Sequence, residues 1–355
     1  MNKKLFIPGP VDVSADVLEA ISQPMIGHRG KDFSELFEDC VELLKKLMYT
    51  ENDIIIATAS STGLMEAAIR NCVKKKCLNV GYGAFSDRWH IITKANGKEA
   101  DFLSLEWGDS PTPELIAEKL SSGDYDAITL VHNETSTGVT IPLEEIAKVI
   151  KEFDDVCFLL DTVSSMGGIK VEVDKLGIDV CLFGTQKALA LPPGLACCSV
   201  SEKALERAKE VENRGYYFDF LNFKKYASRK QTPTTSAISL MYGLRYQLDK
   251  ILYKEGLEKR FERHRKLGEL ARKWAKKHFD LFPEERYASN TVTCVKNTLG
   301  IDCNDLASKL YARGYVFSNG YGKLANKTFR IAHMGDRTIE ELKEYLATID
   351  EILGL

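Results

Sequence analysis

The stretch GTQKALALPPG, Gly184–Gly194, sets one lysine among small residues and ends any regular structure at Pro192 and Pro193. It follows the apolar run IDVCLF, Ile178–Phe183, which is bounded by Gly177 and Gly184 and reads as a buried strand. Other lysines, such as those of the KKK run at Lys74–Lys76, suit a solvated face, where a long cationic side chain stays in water. Lys187 stands just past a buried strand, which makes it a candidate for covalent chemistry.

Outward from this stretch, short apolar runs alternate with amphipathic ones from about Asp53: DIIIATA, LMEAAIRNCV, CLNVGYG, RWHIITKA, ADFLSLE and LIAEKL. AITLVHN then precedes LEEIAKVIKEF, VCFLLD precedes a turn at Gly167 and Gly168, and LACCSVS precedes ALERAKEV. Repeated strand and helix patterns predict an α/β fold, a mostly parallel sheet with helices on both faces, whose ligands bind at the carboxyl ends of the strands. Gly81 and Gly83 match half of a dinucleotide fingerprint, but the third glycine is missing, so a nucleotide fold is rejected. After an irregular, hydroxyl-rich stretch from Arg214 to Thr235, a helix around LMYGLRYQL leads into EGLEKRFERHRKLGELARKWAKKHF, which reads as a long solvated helix. The strand VTCV, the helix DLASKLYARG, the strand TFRIAHMG and a last helix through IEELKEYLATIDEIL have the pattern of a small α+β domain.

The composition narrows the class. A chain of 355 residues is longer than one hydrophobic core usually supports, which predicts two domains. Its net charge of -3 shows no basic excess, so nucleic acid is excluded as a partner. The nine cysteines lie mostly inside apolar runs and form no C-x-x-C pair, as expected of reduced, buried thiols in a cytoplasmic protein. No apolar h-region precedes Pro8 and no apolar run reaches spanning length, so the expectation is a soluble protein without a membrane partner. No metal-binding signature occurs, and no metal is expected.

Four sets of unusual residues fall at strand ends. ASSTG, Ala59–Gly63, follows IIIAT and opens a helix; Thr135 and Ser136 follow TLVHNE; Asp161 ends VCFLLD; Lys187 follows VCLFGTQ. In a parallel sheet these ends converge on one edge. Ser60, Ser61 and Thr62 read either as an ordinary helix N-cap or as an anion site made by hydroxyls and free N–H groups. Asp161 reads either as a turn cap or as a buried carboxylate that needs a cationic partner. A phosphate site, a buried Asp and an activated Lys together meet the needs of pyridoxal phosphate. The lysine holds its aldehyde, and the carboxylate keeps its ring nitrogen protonated so that the ring accepts electrons.

PGP at Pro8–Pro10, GHR at Gly27–Arg29, ASSTG, GAFSDRW, HNETSTGV, LLDTVSSMGG, GTQKALALPPG, QTPTT and FRIAHMG occur in a fixed order along nearly the whole chain. With these marks the sequence resembles the class V aminotransferases of the fold-type I pyridoxal-phosphate enzymes, in particular the serine–pyruvate/alanine–glyoxylate branch. The resemblance implies a large domain, residues 15–245, with a mostly parallel seven-stranded sheet between helices. It implies a smaller α+β domain formed by residues 246–355 with the N-terminal segment 1–14. Lys187 is then the lysine that bonds the cofactor and Asp161 the partner of its ring nitrogen. Thr135 and Gln186 contact the ring, Phe85 stacks on it where relatives often carry Trp, and Ser60, Ser61 and Thr62 hold the phosphate. Arg330 grips the substrate carboxylate, a task for its bidentate fork. Pro8, Gly9, His28 and Arg29 lie at the substrate mouth. The QTPTT segment, through Thr235 with Gln231 and Thr232, reaches the phosphate of a second subunit, which implies a homodimer with shared active sites. Ser236 departs from the pattern, standing where proline is common.

The implied activity is transfer of an amino group from alanine or serine to glyoxylate or pyruvate, with ping-pong kinetics. Positive charge at His28, Arg29 and Lys323 keeps phosphoserine or aspartate open as donors. A cysteine desulfurase of the same fold carries His before the lysine and over the ring, where this chain has Gln186 and Phe85. A silent relative of the fold is the remaining alternative, opposed by intact Lys187, Asp161 and Arg330.

Overall fold

The computed structural model describes residues 3–355, so the first two positions of the expected 1–14 segment lie outside the described residues. Seven strands form the main sheet in the spatial order Asp53–Ala57, Ala196–Val200, Val180–Gly184, Cys157–Asp161, Ala127–Val131, Lys76–Gly81, Glu99–Ser104. Every neighbouring pair is parallel except those made by Ala196–Val200, which runs antiparallel to both of its neighbours. The reversal has a local cause. Thr185–Leu195 contains no helix, and a parallel return needs a longer crossover. The mostly parallel seven-stranded α/β sheet expected from the sequence is therefore present.

Helices cover both faces of this sheet, which is why Ala127–Val131, Cys157–Asp161 and Val180–Gly184 are buried at every position. Register then places the site. Val131 lies opposite Asp161, Asp161 opposite Leu182, and Gly184 opposite Ala196, which in turn faces Ala57. The segments that follow Ala57, Val131, Asp161 and Gly184 accordingly leave the sheet at one edge.

A second core, with Phe6, Leu267, Trp274, Phe329 and Tyr345, packs on a four-stranded antiparallel sheet ordered Asp280–Leu281, Val292–Lys296, Thr328–Ala332, Ser318–Asn319. The N-terminal segment joins it: Lys4–Leu5 pairs in parallel with Tyr315–Val316, and the Phe6 ring stacks on Tyr345 at 3.8 Å. The helix Leu257–His278 forms as expected but is not a solvated one. Arg260, His264, Leu267, Ala271 and Trp274 make a buried stripe at alternating spacings of four and three. Two polar residues on that stripe hid it from a hydropathy reading. All nine cysteines are buried and unpaired, and among the described residues no helix is long and apolar enough to cross a membrane.

Candidate active site

One cavity at the carboxyl edge of the main sheet is lined by Ser60, Ser61, Thr62, Phe85, Thr135, Asp161, Gln186 and Lys187, together with Arg88 and Asn133. The four strand ends singled out in the sequence thus meet.

Lys187 sits in a turn closed by the Ala190 N–H donating to the Lys187 carbonyl at 2.8 Å and by the Thr185 hydroxyl donating to the Pro192 carbonyl at 2.9 Å. Its Nζ donates to the carbonyl of Pro8 and lies 5.9 Å from the centroid of the Phe85 ring. Burial, reinforced by the nearby Arg330 guanidinium, lowers its pKa to about 8. Asp161 accepts one hydrogen bond, from the Val163 N–H at 2.7 Å, and burial raises its pKa to about 7. No cation of the described residues pairs with it.

Ser60 is the residue before the helix Ser61–Cys72, yet its side chain makes no capping bond, and the Ser61 hydroxyl is buried without a partner. The ordinary N-cap reading fails here, because the Ser60 side chain bonds no N–H of the helix it introduces. Gly184 permits the approach: a Cβ there would collide with the Ser61 and Gln186 side chains.

Arg330 comes from the smaller sheet. It is buried, donates from Nε and Nη2 to the Asn319 carbonyl at 3.3 Å each and from Nη1 to the Thr135 carbonyl at 3.4 Å, and has no carboxylate partner among the described residues. Tyr321 flanks it, with the Arg330 guanidinium 5.5 Å from its ring centroid and the Phe85 ring 5.3 Å away.

A family model for aminotransferase class-V matches residues 15–326. The chain belongs to the class-V aminotransferases. It is 45% identical to an uncharacterized aminotransferase of Methanocaldococcus jannaschii, over 98% of this chain and 91% of that one. It is 34% identical to a serine–glyoxylate aminotransferase of Methylorubrum extorquens, over 94% and 86%. The solved alanine–glyoxylate aminotransferase from Nostoc sp. superposes with a TM-score of 0.94 at 29% identity, covering 99% of this chain and 96% of that chain.

Members of this family use pyridoxal phosphate, and the aminotransferase's own groups fit it. The buried Ser61 hydroxyl and the Asn133 Nδ2 lack partners, Asp161 lacks a cation, and Lys187 is an amine of lowered basicity. A phosphate, a phenolic oxygen, a protonated ring nitrogen and an aldehyde are the complementary set.

Besides Arg88, three residues that build the aminotransferase's site carry no mark in the sequence pattern. Glu134 is fully buried and accepts from the backbone N–H groups of Phe85 (3.1 Å), Ser86 (2.7 Å) and Ser136 (3.0 Å), so it caps the helix Ala84–Ala95 and fixes Phe85. Ser136 serves this cap through its hydroxyl and does not line the cavity. Asn133 is anchored by hydroxyls that include those of Ser289 and, at 3.1 Å, Thr291. Arg260 crosses from the second core and donates to the carbonyls of Gly167 at 2.8 Å and Ala188 at 2.7 Å, tying together the turns that follow Asp161 and Lys187.

His28, Arg29, Gln231, Thr232 and Thr235 do not line this cavity within one chain. Arg29 instead donates to the Thr232 carbonyl at 2.6 Å, the Pro233 carbonyl at 3.2 Å and the Gln231 side chain at 3.3 Å, and Thr235 is exposed. Pro8 accepts from Lys187, and Gly9 lies close against the Lys187 side chain. Lys323 lies over the Trp107 ring at 4.4 Å.

Proposed function

We propose that the aminotransferase moves the amino group of alanine or serine to glyoxylate or pyruvate, with pyridoxal 5′-phosphate as cofactor and with ping-pong kinetics. The observation that carries this reading is the buried Arg330 guanidinium, bonded only to backbone carbonyls beside the cavity of Lys187. Such a group is ready for a carboxylate, which every α-amino acid and 2-oxo acid brings. Relatives named for serine–glyoxylate and alanine–glyoxylate transfer support a small donor and glyoxylate as acceptor. Arg29 and Lys323 are engaged elsewhere in the chain, which favours these donors over phosphoserine or aspartate.

Ser60, Ser61 and Thr62 would hold the cofactor's phosphate at the helix start, Asp161 its ring nitrogen, Thr135 and Gln186 the ring edge, and Phe85 the ring face. Bound there, pyridoxal phosphate supplies an electron sink for the pair left behind when an amino acid loses its α-proton. Lys187 Nζ, neutral above about pH 8, would take that proton from the α-carbon and pass it to the cofactor's C4′ carbon, so that the amino group stays behind when the 2-oxo acid leaves. Asp161, once ionised, stabilises positive charge placed beside it. Donor and acceptor share Arg330, so the first product leaves before the second substrate enters.

A homodimer completes the reading. Arg29 braces the Gln231–Pro233 backbone and leaves Thr235 exposed, as suits contact with a second copy of the chain. Nine buried thiols without a disulfide suit the reducing cytoplasm.

The test is the absorption spectrum of the purified protein with pyridoxal phosphate, recorded as alanine, serine, aspartate and phosphoserine are added singly. Discharge of the visible band by alanine or serine, and its return with glyoxylate or pyruvate, is expected. Discharge by aspartate or phosphoserine alone would overturn the donor assignment, and absence of any band would overturn the cofactor.

A further inference from the structure

Resting on the cofactor assignment above, we infer that Arg88 is the cation that neutralises the cofactor's phosphate at the Ser60–Thr62 turn. Arg88 rises from the helix Ala84–Ala95 and lines the same cavity as the three hydroxyl residues. Its Nη1 donates to Thr62 Oγ1 at 3.3 Å, and its guanidinium lies 4.8 Å from the centroid of the Phe85 ring. That single side-chain bond leaves most of its five N–H donors uncommitted.

Charge accounting points the same way. The turn itself offers hydroxyls and N–H groups, all neutral, whereas a phosphate dianion in a partly buried site needs positive charge close by. Among the described residues two cations line the cavity, Arg88 and Lys187, and the amine of Lys187 is reserved for the aldehyde. Arg88 has no carboxylate partner among the described residues; even the adjacent Asp87 is turned away, accepting from Trp107 Nε1 at 2.9 Å. Arg330, the other unpaired guanidinium here, is bonded to the carbonyls of Asn319 and Thr135. The bond to Thr62 places Arg88 at the phosphate end. Its stacking on Phe85 holds the guanidinium plane while leaving the N–H edge free.

The experiment compares pyridoxal phosphate with pyridoxal, which lacks the phosphate, as ligands of the full-length protein freed of cofactor. Affinity is read from growth of the visible band, with inorganic phosphate as competitor. Arg88→Gln should weaken pyridoxal phosphate roughly 10- to 100-fold, the size of a lost charge-assisted hydrogen bond, while changing pyridoxal less than about threefold. Inorganic phosphate should compete less well in this variant, and Arg88→Lys should recover part of the loss by restoring the charge. Equal weakening of both ligands would mean that Arg88 acts only by supporting Phe85, and unchanged affinity would mean that it faces no phosphate; either overturns the inference. Failure of the unaltered protein to form a band with either ligand would strike the cofactor reading itself.

Discussion

The carbonyl of Pro8 accepts a hydrogen bond from Lys187 Nζ, joining two residues 179 positions apart and holding the amine at the mouth of the cavity. Gly9 makes the approach possible. Its φ is +118°, and a Cβ there would stand 2.7 Å from Lys187 Cδ and 2.9 Å from Cε. Gly9→Ala should cost on the order of 1–3 kcal/mol of stability and slow attachment of the cofactor. Denaturant midpoints and the rate of band growth check both, and an unaltered rate would show that Lys187 does not need this contact.

Lys187→Ala should bind pyridoxal phosphate without a covalent bond, leaving no adduct for borohydride to fix, and should lower turnover by about 10²–10⁴-fold or more. Mass spectrometry after borohydride treatment and a transamination assay test this. Ordinary turnover by the variant would remove Lys187 from the chemistry.

Asp161 gives the cofactor-free protein a predictable pH dependence. Its pKa is raised by burial from 3.8 to about 7, so the folded state holds the proton more tightly than the unfolded one. Stability from this group is present below pH 3.8, falls as pH rises toward about 7, and is flat above. At about 1.4 kcal/mol per pH unit the loss has a ceiling of about 4 kcal/mol, which Asp161→Asn should largely recover at pH 8. The same variant, loaded with cofactor, should turn over more slowly, because the ring nitrogen loses its anion. Equal midpoints for the two proteins at every pH would contradict the buried carboxylate.

For Lys187 the sign is opposite. With its pKa lowered to about 8, the neutral amine appears as pH rises through that value, so attachment of the cofactor should accelerate over the same range. Stopped-flow records of band growth between pH 6.5 and 9 would show it, and a pH-independent rate would not fit.

Arg330→Lys keeps a charge but loses the fork. We expect kcat/KM for amino acids to fall roughly 10- to 100-fold, with little change for a primary amine that lacks a carboxylate. Parallel losses for both substrate types would point to damage to the fold.

Mixing Lys187→Ala with Thr235→Ala chains should recover activity beyond either alone if Thr235 serves the partner's site, since some mixed dimers then carry one intact site. Sedimentation establishes whether dimers form, and dimers without recovery would remove Thr235 from the site.

The strands were legible because fully buried parallel strands read as short apolar runs: DIIIA, AITLV, CFLLD and VCLFG each became one. The antiparallel course of Ala196–Val200 left no such mark, since direction does not alter the composition of a buried strand. The cavity residues at strand ends were legible through Lys187 and Asp161, whose types are unusual beside apolar runs. Glu134 and Arg88 were not: each lies in a polar stretch, and only the three-dimensional placement shows a carboxylate under a helix start or a guanidinium over a hydroxyl turn. The stripe through Arg260 and His264 was masked in the same way, by charge on the buried side of a helix.

Arg330 stands on the four-stranded sheet and Lys187 in the turn that leaves the seven-stranded one after Gly184, so the span between the group that seizes the carboxylate and the group that handles the proton crosses two separately packed bodies. The alignment of the reacting α-carbon against the amine is then a mechanical quantity, set by how those bodies seat against each other. Arg260, which bonds the carbonyls of Gly167 and Ala188 from the second core, therefore bears on that alignment without lining the cavity.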